Sequence, residues 1–372
     1  MRNHSCIDMT QHFLKSSRLR DFTAFDAGLM SEDEAHWMLV EARWGSREQL
    51  CCPKCGAIRK HYYRIKQKRW RCADCGDYFS VTTGTPFQDR KMSRRKLLIG
   101  IMHFIHSANG ISHHALCRHL DVQVKTAQAF VGKLREAIYG VQPKIKMSGI
   151  VQIDGGYFGG RPRSGRVRKK NPEAVAKHVE EMLKKKAEGG KRPRPKSSRA
   201  NWKRRQKRRV IMVLRELFPE KGKGARVTIV AVCQSENETD AISLASHYIA
   251  PGAQIMTDEN PAYNRLSIRY QHDTVEHAVE FSTIDGINDN QAESYFSRLR
   301  RHVLGVAHRI EPKYMADIAI EMAWREDIRR STEREKLGAL FHAIFTNGLS
   351  QWWRGYWQGY HRNGEILWRA NA

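Results

Sequence analysis

No apolar run in this chain approaches the roughly 18 to 20 residues that a membrane span needs. The longest, Leu97 to Ile105, is short and is interrupted by His103. The N-terminal segment MRNHSCIDMTQHF carries no apolar stretch of the kind a secretory signal has, so an intracellular protein is expected. Acidic residues are scarce: 39 Asp and Glu face 65 Lys and Arg, a formal charge of +26, which implies a polyanionic partner, most simply nucleic acid. No internal repeat is evident. Cysteines number only eight, and five of them fall between Cys51 and Cys75. A disulfide framework would spread them over the chain; clustering in an intracellular protein points to metal. Apolar material is plentiful, 41% of 372 residues, enough for two or three domains with real cores.

The excess charge is concentrated. Residues 161–209 hold 21 Lys and Arg against 4 Glu, a net +17 of the chain's +26, so the rest of the molecule has to be read from its motifs. Residues 1–20 read as a poorly ordered lead, and residues 21–45 as a short helix capped by Ser31 with Glu34 closing a capping box. Trp37, Met38, Leu39 and Ala42 fall on or near one face of that helix.

In residues 46–91, Cys52-Pro-Lys-Cys55 and Cys72-Ala-Asp-Cys75 are 16 residues apart, and a glycine follows each pair at Gly56 and Gly76. Each pair places two thiolates on one side of a tight turn, and two such knuckles make a tetrahedral S4 site for a structural Zn2+. The intervening HYYRIKQKRWR alternates basic and aromatic residues as a small hairpin would. Cys51 is a substitute ligand by position, but Cys52 fits the spacing.

Residues 92–142 read as three short helices, with Gly110 separating the first two and Leu120-Asp121-Val122 the last two. Ile111, Ala115, Leu116, Leu120, Val122, Ala127, Val131 and Leu134 recur as in a helix-turn-helix, whose second helix would offer Gln123, Lys125, Thr126, Gln128 and Lys133 to DNA. A purely structural bundle gives the same pattern. The histidines nearby, from His103 to His119, read as surface or packing residues and not as ligands.

Further on, a strand pattern from Gly149 ends at Asp154 in a glycine-rich turn, and Val210–Leu214, Ala225–Cys233 and Ala253–Thr257 follow as strands, the last ending in Asp258. Helices are expected at Thr239–Ile249, Gln291–His302 and Lys313–Arg330, which together indicate an α/β domain with a mixed sheet. Two strand-end aspartates, Asp154 and Asp258, and a helix glutamate, Glu293, are able to converge at one rim of such a sheet, where hard oxygen ligands suit a pair of Mg2+ ions. From spacing alone the alternatives stay open: Asn290 to Glu293 also fits a capping box, and Asp258 a turn. Within the basic stretch, Pro172 opens a helix, EAVAKHVEEMLKKK, and a run of Pro, Arg, Lys and Ser follows. Arg168, Lys169, Lys170, Arg204 and Arg205 would track a DNA backbone there; the bland reading is a solvated excursion. Residues 331–372 form an aromatic-rich extension whose Trp352, Trp353, Tyr356, Trp357 and Tyr360 read as core packing.

The blocks CPKCG, CADCGDYFSVTTGTPFQDRKM, GIS…KTA…LREAI, DGGYFGG, TDENPAY and NQAESYFSRLRRHVLGVAHRIEPKYM occur in that order over roughly residues 21 to 330. They resemble the zinc-ribbon DDE transposases of bacterial insertion sequences, the group with Asn before the Glu. The resemblance implies a multidomain protein: zinc ribbon, helix-turn-helix, and an α/β ribonuclease H-like catalytic domain over residues 148–330 with the basic stretch as an insertion. It implies that Asp154, Asp258 and Glu293 bind two Mg2+ ions, with Mn2+ as a substitute and Asn290 beside them, while His277 resembles a family histidine of uncertain role. The implied activity is binding of an element's terminal inverted repeats, strand cleavage and strand transfer into target DNA, by a homo-oligomer in the bacterial cytoplasm, associated with the nucleoid. A DNA-binding regulator with an inactive domain, and a nuclease or resolvase that cuts without joining, are the rivals. Gly155 and Gly156 depart from the family's usual DET, and the basic insertion and C-terminal extension are additions.

Overall fold

The computed structural model describes residues 19–142, 145–159, 172–187, 199–220, 222–275, 290–354 and 367–368. The expected N-terminal lead lies almost wholly outside them. Two short helices come first, α1 (Ala24–Leu29) and α2 (Glu32–Trp44). Both begin with a capping box: the Thr23 and Ser31 hydroxyls accept the N–H of Asp26 and Glu34, whose carboxylates accept the N–H of Thr23 and Ser31 in return. Only the second was read from the sequence. α2 buries Ala35, His36, Leu39 and Val40, and Ala42 is exposed, contrary to the expected inward face. The stripe is turned because His36 stacks on Tyr63 and Trp70 of the neighbouring small sheets.

Those sheets are β1 (Leu50–Cys51) with β2 (Ile58–Arg59), and β3 (Tyr62–Arg64), β4 (Arg69–Arg71) and β5 (Tyr78–Phe79), all antiparallel. Strands this short cannot bury a core alone. Here Trp70 and Phe79, both 2% exposed, pack edge-on against Trp44 of α2.

Three helices follow: α3 (Arg94–His106), α4 (His113–Leu120) and α5 (Val124–Gly140). Ser93 and Ser112 cap the first two, and Asp121, at φ 49°, turns the chain between α4 and α5. Leu98, Ile101, Phe104, Leu116, Leu120, Ala127, Val131 and Leu134 form their shared core.

The large sheet comprises β6 (Ile150–Phe158), then, after α6 (Pro172–Ala187) and α7 (Arg199–Arg205), β7 (Arg209–Leu217) and β8 (Ala225–Cys233). Helix α8 (Glu238–Tyr248), β9 (Gln254–Asp258), β10 (Gln271–Val275), α9 (Asn290–His302), α10 (Met315–Asp327) and α11 (Glu333–Thr346) complete the described elements. The strand order is β10-β9-β6-β7-β8; β7 runs antiparallel to both neighbours, and β6, β9 and β10 are parallel. Side chains alternate between the two faces. Val151, Ile153, Met212 and Leu214 meet Ala241, Leu244 and Ala245 of α8 on one face. Phe158, Ile211, Val213 and Val232 share the other face's core with α9 and α10. Helix α10 lies between β8 and α5, so this second core is continuous with that of the three helices.

Three expectations need correction. The strand read as stopping at Asp154 continues through Gly155 and Gly156 to Phe158, because the missing side chains serve close packing and not a turn: a Cβ on Gly156 would stand 2.5 Å from the Phe296 ring. The chain turns at Gly159, at φ 67°. Strand β10 was unread because QHDTV is an edge strand with little to bury. Within the expected aromatic-rich extension, helix α11 places Leu337, Leu340, Phe341 and Ile344 in the core, so this part of the extension is integral to the fold. Of the aromatics beyond it, Trp353 is buried and Trp352 packs on Tyr139, while Tyr356, Trp357 and Tyr360 lie outside the described residues.

Candidate functional site

Two places gather chemistry. In the first, Cys52 Sγ lies 3.9 Å from Cys75 Sγ, and Cys55 Sγ lies 3.6 Å from Cys72 Sγ. All four sulfurs fall within 4.8 Å of one another. The knuckles close as their glycines dictate: Gly56 (φ 78°) donates its N–H to Cys52 O at 2.9 Å, and Gly76 sits at φ 74°. His61, unnoticed in the sequence, is 6% exposed and ties the knuckles together. Its Nε2 bonds Leu50 O at 3.0 Å, and its Nδ1 accepts the Ala73 N–H at 3.2 Å. Backbone N–H groups of Cys75 and Asp74 outweigh burial and pull the Cys72 thiol down to about 6. Against a backbone hydrogen bond at Asp77, burial and the neighbouring sulfurs push Cys75 up to about 12. Four cysteine sulfurs this close, presented by two knuckles, fit the tetrahedral shell of a structural zinc ion. Cys51 stays apart, its Sγ 3.6 Å from Gly56 O.

The second place is the end of β9. Parallel pairing of β6 and β9 sets Ile153 opposite Thr257, so the next residues, Asp154 and Asp258, stand side by side. Gly155 N–H donates to Asp154 Oδ1 at 2.6 Å. Asn260 N–H donates to Asp258 Oδ1 at 3.2 Å, the turn that the spacing also allowed. Thr257 Oγ1 donates to Asp258 O at 2.8 Å and bonds His272 Nε2 at 2.9 Å, which fixes the strand end.

Glu293 arrives by helix docking. Gln152, fully buried, accepts the N–H groups of Gln291 (2.9 Å) and Ala292 (3.3 Å), and Phe296 lies over Gly156 and against Phe158. Residues 152, 154 and 156 share one face of β6, so these contacts bracket Asp154 and bring the first turn of α9, with Asn290 and the exposed Glu293, alongside it. Asp154 and Asp258 follow adjacent positions of paired strands, and Glu293 is one residue beyond the peptide that Gln152 holds. Among the described residues, only the four cysteines have every ligand atom within 4.8 Å of the others.

Glu236, in the loop after β8, is a carboxylate the sequence reading missed. Tyr263 Oη donates to its Oε1 at 2.7 Å, and the carboxylate occupies the space a Cβ on Gly155 would fill. Burial pushes its pKa up, opposed by the Tyr263 hydrogen bond and reinforced by the charge of Asp258. Beyond the bare glycine at 155, nothing in the local sequence points to it.

Around these places lie basic and aromatic surfaces. Gln123, Lys125 and Thr126 are exposed at the start of α5, whereas Gln128 is half-buried. Lys133 departs from this set: its Nζ is 5.8 Å from the Phe87 ring centre, and burial lowers its pKa. Arg205 is exposed on α7 and Arg204 half-buried, while Arg168, Lys169, Lys170 and His277 lie outside the described residues. On the small sheets, Tyr62 and Ile65 are exposed, and the Arg69 guanidinium covers Tyr78 at 4.3 Å. Among the described residues no helix is long and apolar enough to cross a membrane.

The family model of the ISXO2-like transposase domain matches residues 146–327, and that of the transposase zinc-ribbon domain matches residues 30–78. Together they take in more than half of the chain, both metal candidates included. No curated relative matches it.

Proposed function

From a chain that belongs to the zinc-ribbon DDE transposases of insertion sequences, we propose a Mg2+-dependent enzyme that binds the terminal inverted repeats of its element, cuts them and joins them to target DNA. The observation that supports this reading most is the parallel register of β6 and β9, Ile153 opposite Thr257, with Gln152 of β6 holding the first turn of α9, the turn that carries Glu293. The five-stranded mixed sheet with helices on both faces supports a ribonuclease H-like catalytic domain.

Asp154, Asp258 and Glu293 would hold the ions, and their all-oxygen chemistry fits a hard divalent cation. Mg2+ bound there supplies Lewis acidity and neutralises charge at a phosphodiester. The chain's own residues hold and orient. Asp154 and Asp258 would hold the ions from paired strands, and Asn290 lies one turn from Glu293. Chemically, water displaces the 3′ oxygen at an element end, and the freed hydroxyl then displaces a phosphodiester oxygen of the target. The bonds exchanged are all P–O, so no covalent protein–DNA link and no redox partner is needed.

Helices α4 and α5 serve as a helix-turn-helix, with Gln123, Lys125 and Thr126 toward DNA; the ribbon and the basic residues of α7 add backbone contacts. Pairing two element ends calls for at least a dimer on DNA. Labelled terminal-repeat DNA incubated with protein and Mg2+ or EDTA tests the whole reading. Mg2+-dependent joined products are expected, and they disappear in Asp154→Ala, Asp258→Ala and Glu293→Ala. Cuts without joining would make the protein a nuclease, and bound but intact DNA a regulator.

A further inference from the structure

Two polar side chains sit where an apolar pair would pack more cheaply. Gln152 of β6 and Arg215 of β7 are direct cross-strand partners, both 0% exposed, on the sheet face that receives α9 and α10. Burying an amide and a guanidinium there costs free energy unless every group is satisfied, and buried ion pairs replaced by apolar residues often leave stability unchanged or raised. Both are aimed at one peptide of α9. Gln152 Oε1 accepts the N–H of Gln291 and Ala292, and Arg215 Nη1 donates to Gln291 O. The clamp closes on the residues that immediately precede Glu293.

The clamp is itself braced. Arg215 Nη2 bonds Glu326 Oε2 of α10 at 3.0 Å, and Glu326 Oε1 pairs with Arg298 of α9. Arg298 Nη1 reaches Ala108 O, between α3 and α4, at 3.2 Å. The first turn of α9 is thus held by hydrogen bonds from β6 and β7, and α10 braces both Arg215 and, two turns on, Arg298. An apolar face alone fixes a helix to a sheet but leaves it free to shift by fractions of an ångström.

We propose that Gln152 and Arg215 are positioning residues, whose task is to hold the first turn of α9 so that Glu293 meets the ions shared with Asp154 and Asp258. This rests on the functional reading above. Groups that orient metal ligands cost about 10–100-fold in metal affinity or activity when removed.

The test uses the full chain and three variants: Gln152→Leu, Arg215→Lys and Gln152→Glu. Mn2+ affinity is read by electron paramagnetic resonance, terminal-repeat binding and KM for DNA separately from kcat, and melting temperature alongside. Gln152→Leu and Arg215→Lys are expected to weaken Mn2+ binding and lower kcat by about 10–100-fold, with DNA affinity and KM unchanged. Gln152→Glu keeps an oxygen for both N–H groups and is expected to restore both quantities to within a few-fold of wild type. Should Arg215→Lys fail to fold, Gln152→Leu carries the test, because it leaves no charge unpaired. Wild type that binds Mn2+ and cuts, beside a Gln152→Leu variant of equal Mn2+ affinity and kcat, overturns the positioning role and leaves the enzyme reading intact. Wild type that neither binds Mn2+ nor cuts overturns the enzyme reading first.

Discussion

The cysteine cluster and the proposed carboxylate site rest on opposite strategies. All four sulfurs come from the stretch Cys52 to Cys75, and two turns with positive φ bring them within 4.8 Å. The proposed carboxylate site would draw on Asp154, Asp258 and Glu293, and so depend on strand register and on a helix held from two strands. A site encoded locally closes wherever its turns form. A site encoded over long range is only as good as the packing that carries it, so it draws in buried polar residues that no local rule demands.

Removing zinc offers the largest test of that contrast. Structural zinc contributes about 10–16 kcal/mol of apparent folding free energy to small zinc domains. Chelation, or Cys72→Ser, is expected to unfold the ribbon and abolish terminal-repeat binding, as hydrogen exchange and metal content would report. The α8 face of the large sheet, with a core separate from the ribbon's, should stay protected. Loss of protection throughout the sheet would mean that the two regions are not independent. Asp258→Asn probes the other side. It is expected to leave fold and DNA binding intact while strand cleavage falls about a thousandfold or more, since metal-borne charge stabilisation is worth several kcal/mol.

The same contrast explains what could be read in advance. The ribbon was legible to the residue because cysteine spacing, following glycines and the hairpin are all local. The Ser31 capping box was legible for the same reason. Asp258 closes its strand as the sequence suggests, but Asp154 lies mid-strand: Gly155-Gly156 looks like a turn until Phe296 and Glu236 are seen to occupy the space. Glu236, the Gln152–Arg215 clamp and α11 were invisible, because each derives its meaning from residues far away in the chain. The two family matches fall on the parts with the strongest motifs, and of the clamp's braces only Ala108, between α3 and α4, lies outside both.

Helix α10 sharpens the comparison energetically, since it connects the three helices to the sheet. Glu321, fully buried, accepts from Arg135 of α5 at 2.6 Å and from Arg325 at 2.9 Å. Burial alone would raise its pKa, but the Arg135 and Arg325 charges hold it down at about 2, against an ordinary 4.5. Its contribution is therefore present above pH 4.5 and is lost as pH falls toward 2. Glu321→Gln, which leaves two buried guanidinium groups uncompensated, is expected to cost about 3–5 kcal/mol at neutral pH and to remove that acid-side slope. Asp327, at the end of the same helix, behaves oppositely. Burial, against the hydrogen bonds of Thr228, raises it to about 7 from an ordinary 3.8. Its contribution is present below pH 3.8 and is lost as pH rises through 7, so Asp327→Asn should flatten thermal stability over that interval. A smaller effect comes from Gly156→Ala. Its methyl group would meet Phe296 at 2.5 Å, and overpacking of that kind costs about 1–3 kcal/mol, with α9 displaced and cleavage reduced more than DNA binding.

The least of these effects belongs to Lys125, and it decides whether the three helices form the DNA-facing part of the locally encoded half. Lys125 is exposed in the first turn of α5, beside Gln123 and Thr126 and far along the surface from the half-buried Lys133. A lysine that neutralises one phosphate releases about one counterion, so Lys125→Ala is expected to weaken binding to terminal-repeat and unrelated DNA alike. The slope of log K against log salt should drop by about one. Gln123→Ala, by contrast, would weaken the terminal repeat alone if it reads a base edge, and leave the slope unchanged. Equal slopes for wild type and Lys125→Ala would take α5 off the DNA and shift recognition to the ribbon, whose exposed Tyr62 and Ile65 and the Arg69-covered Tyr78 form the other candidate surface.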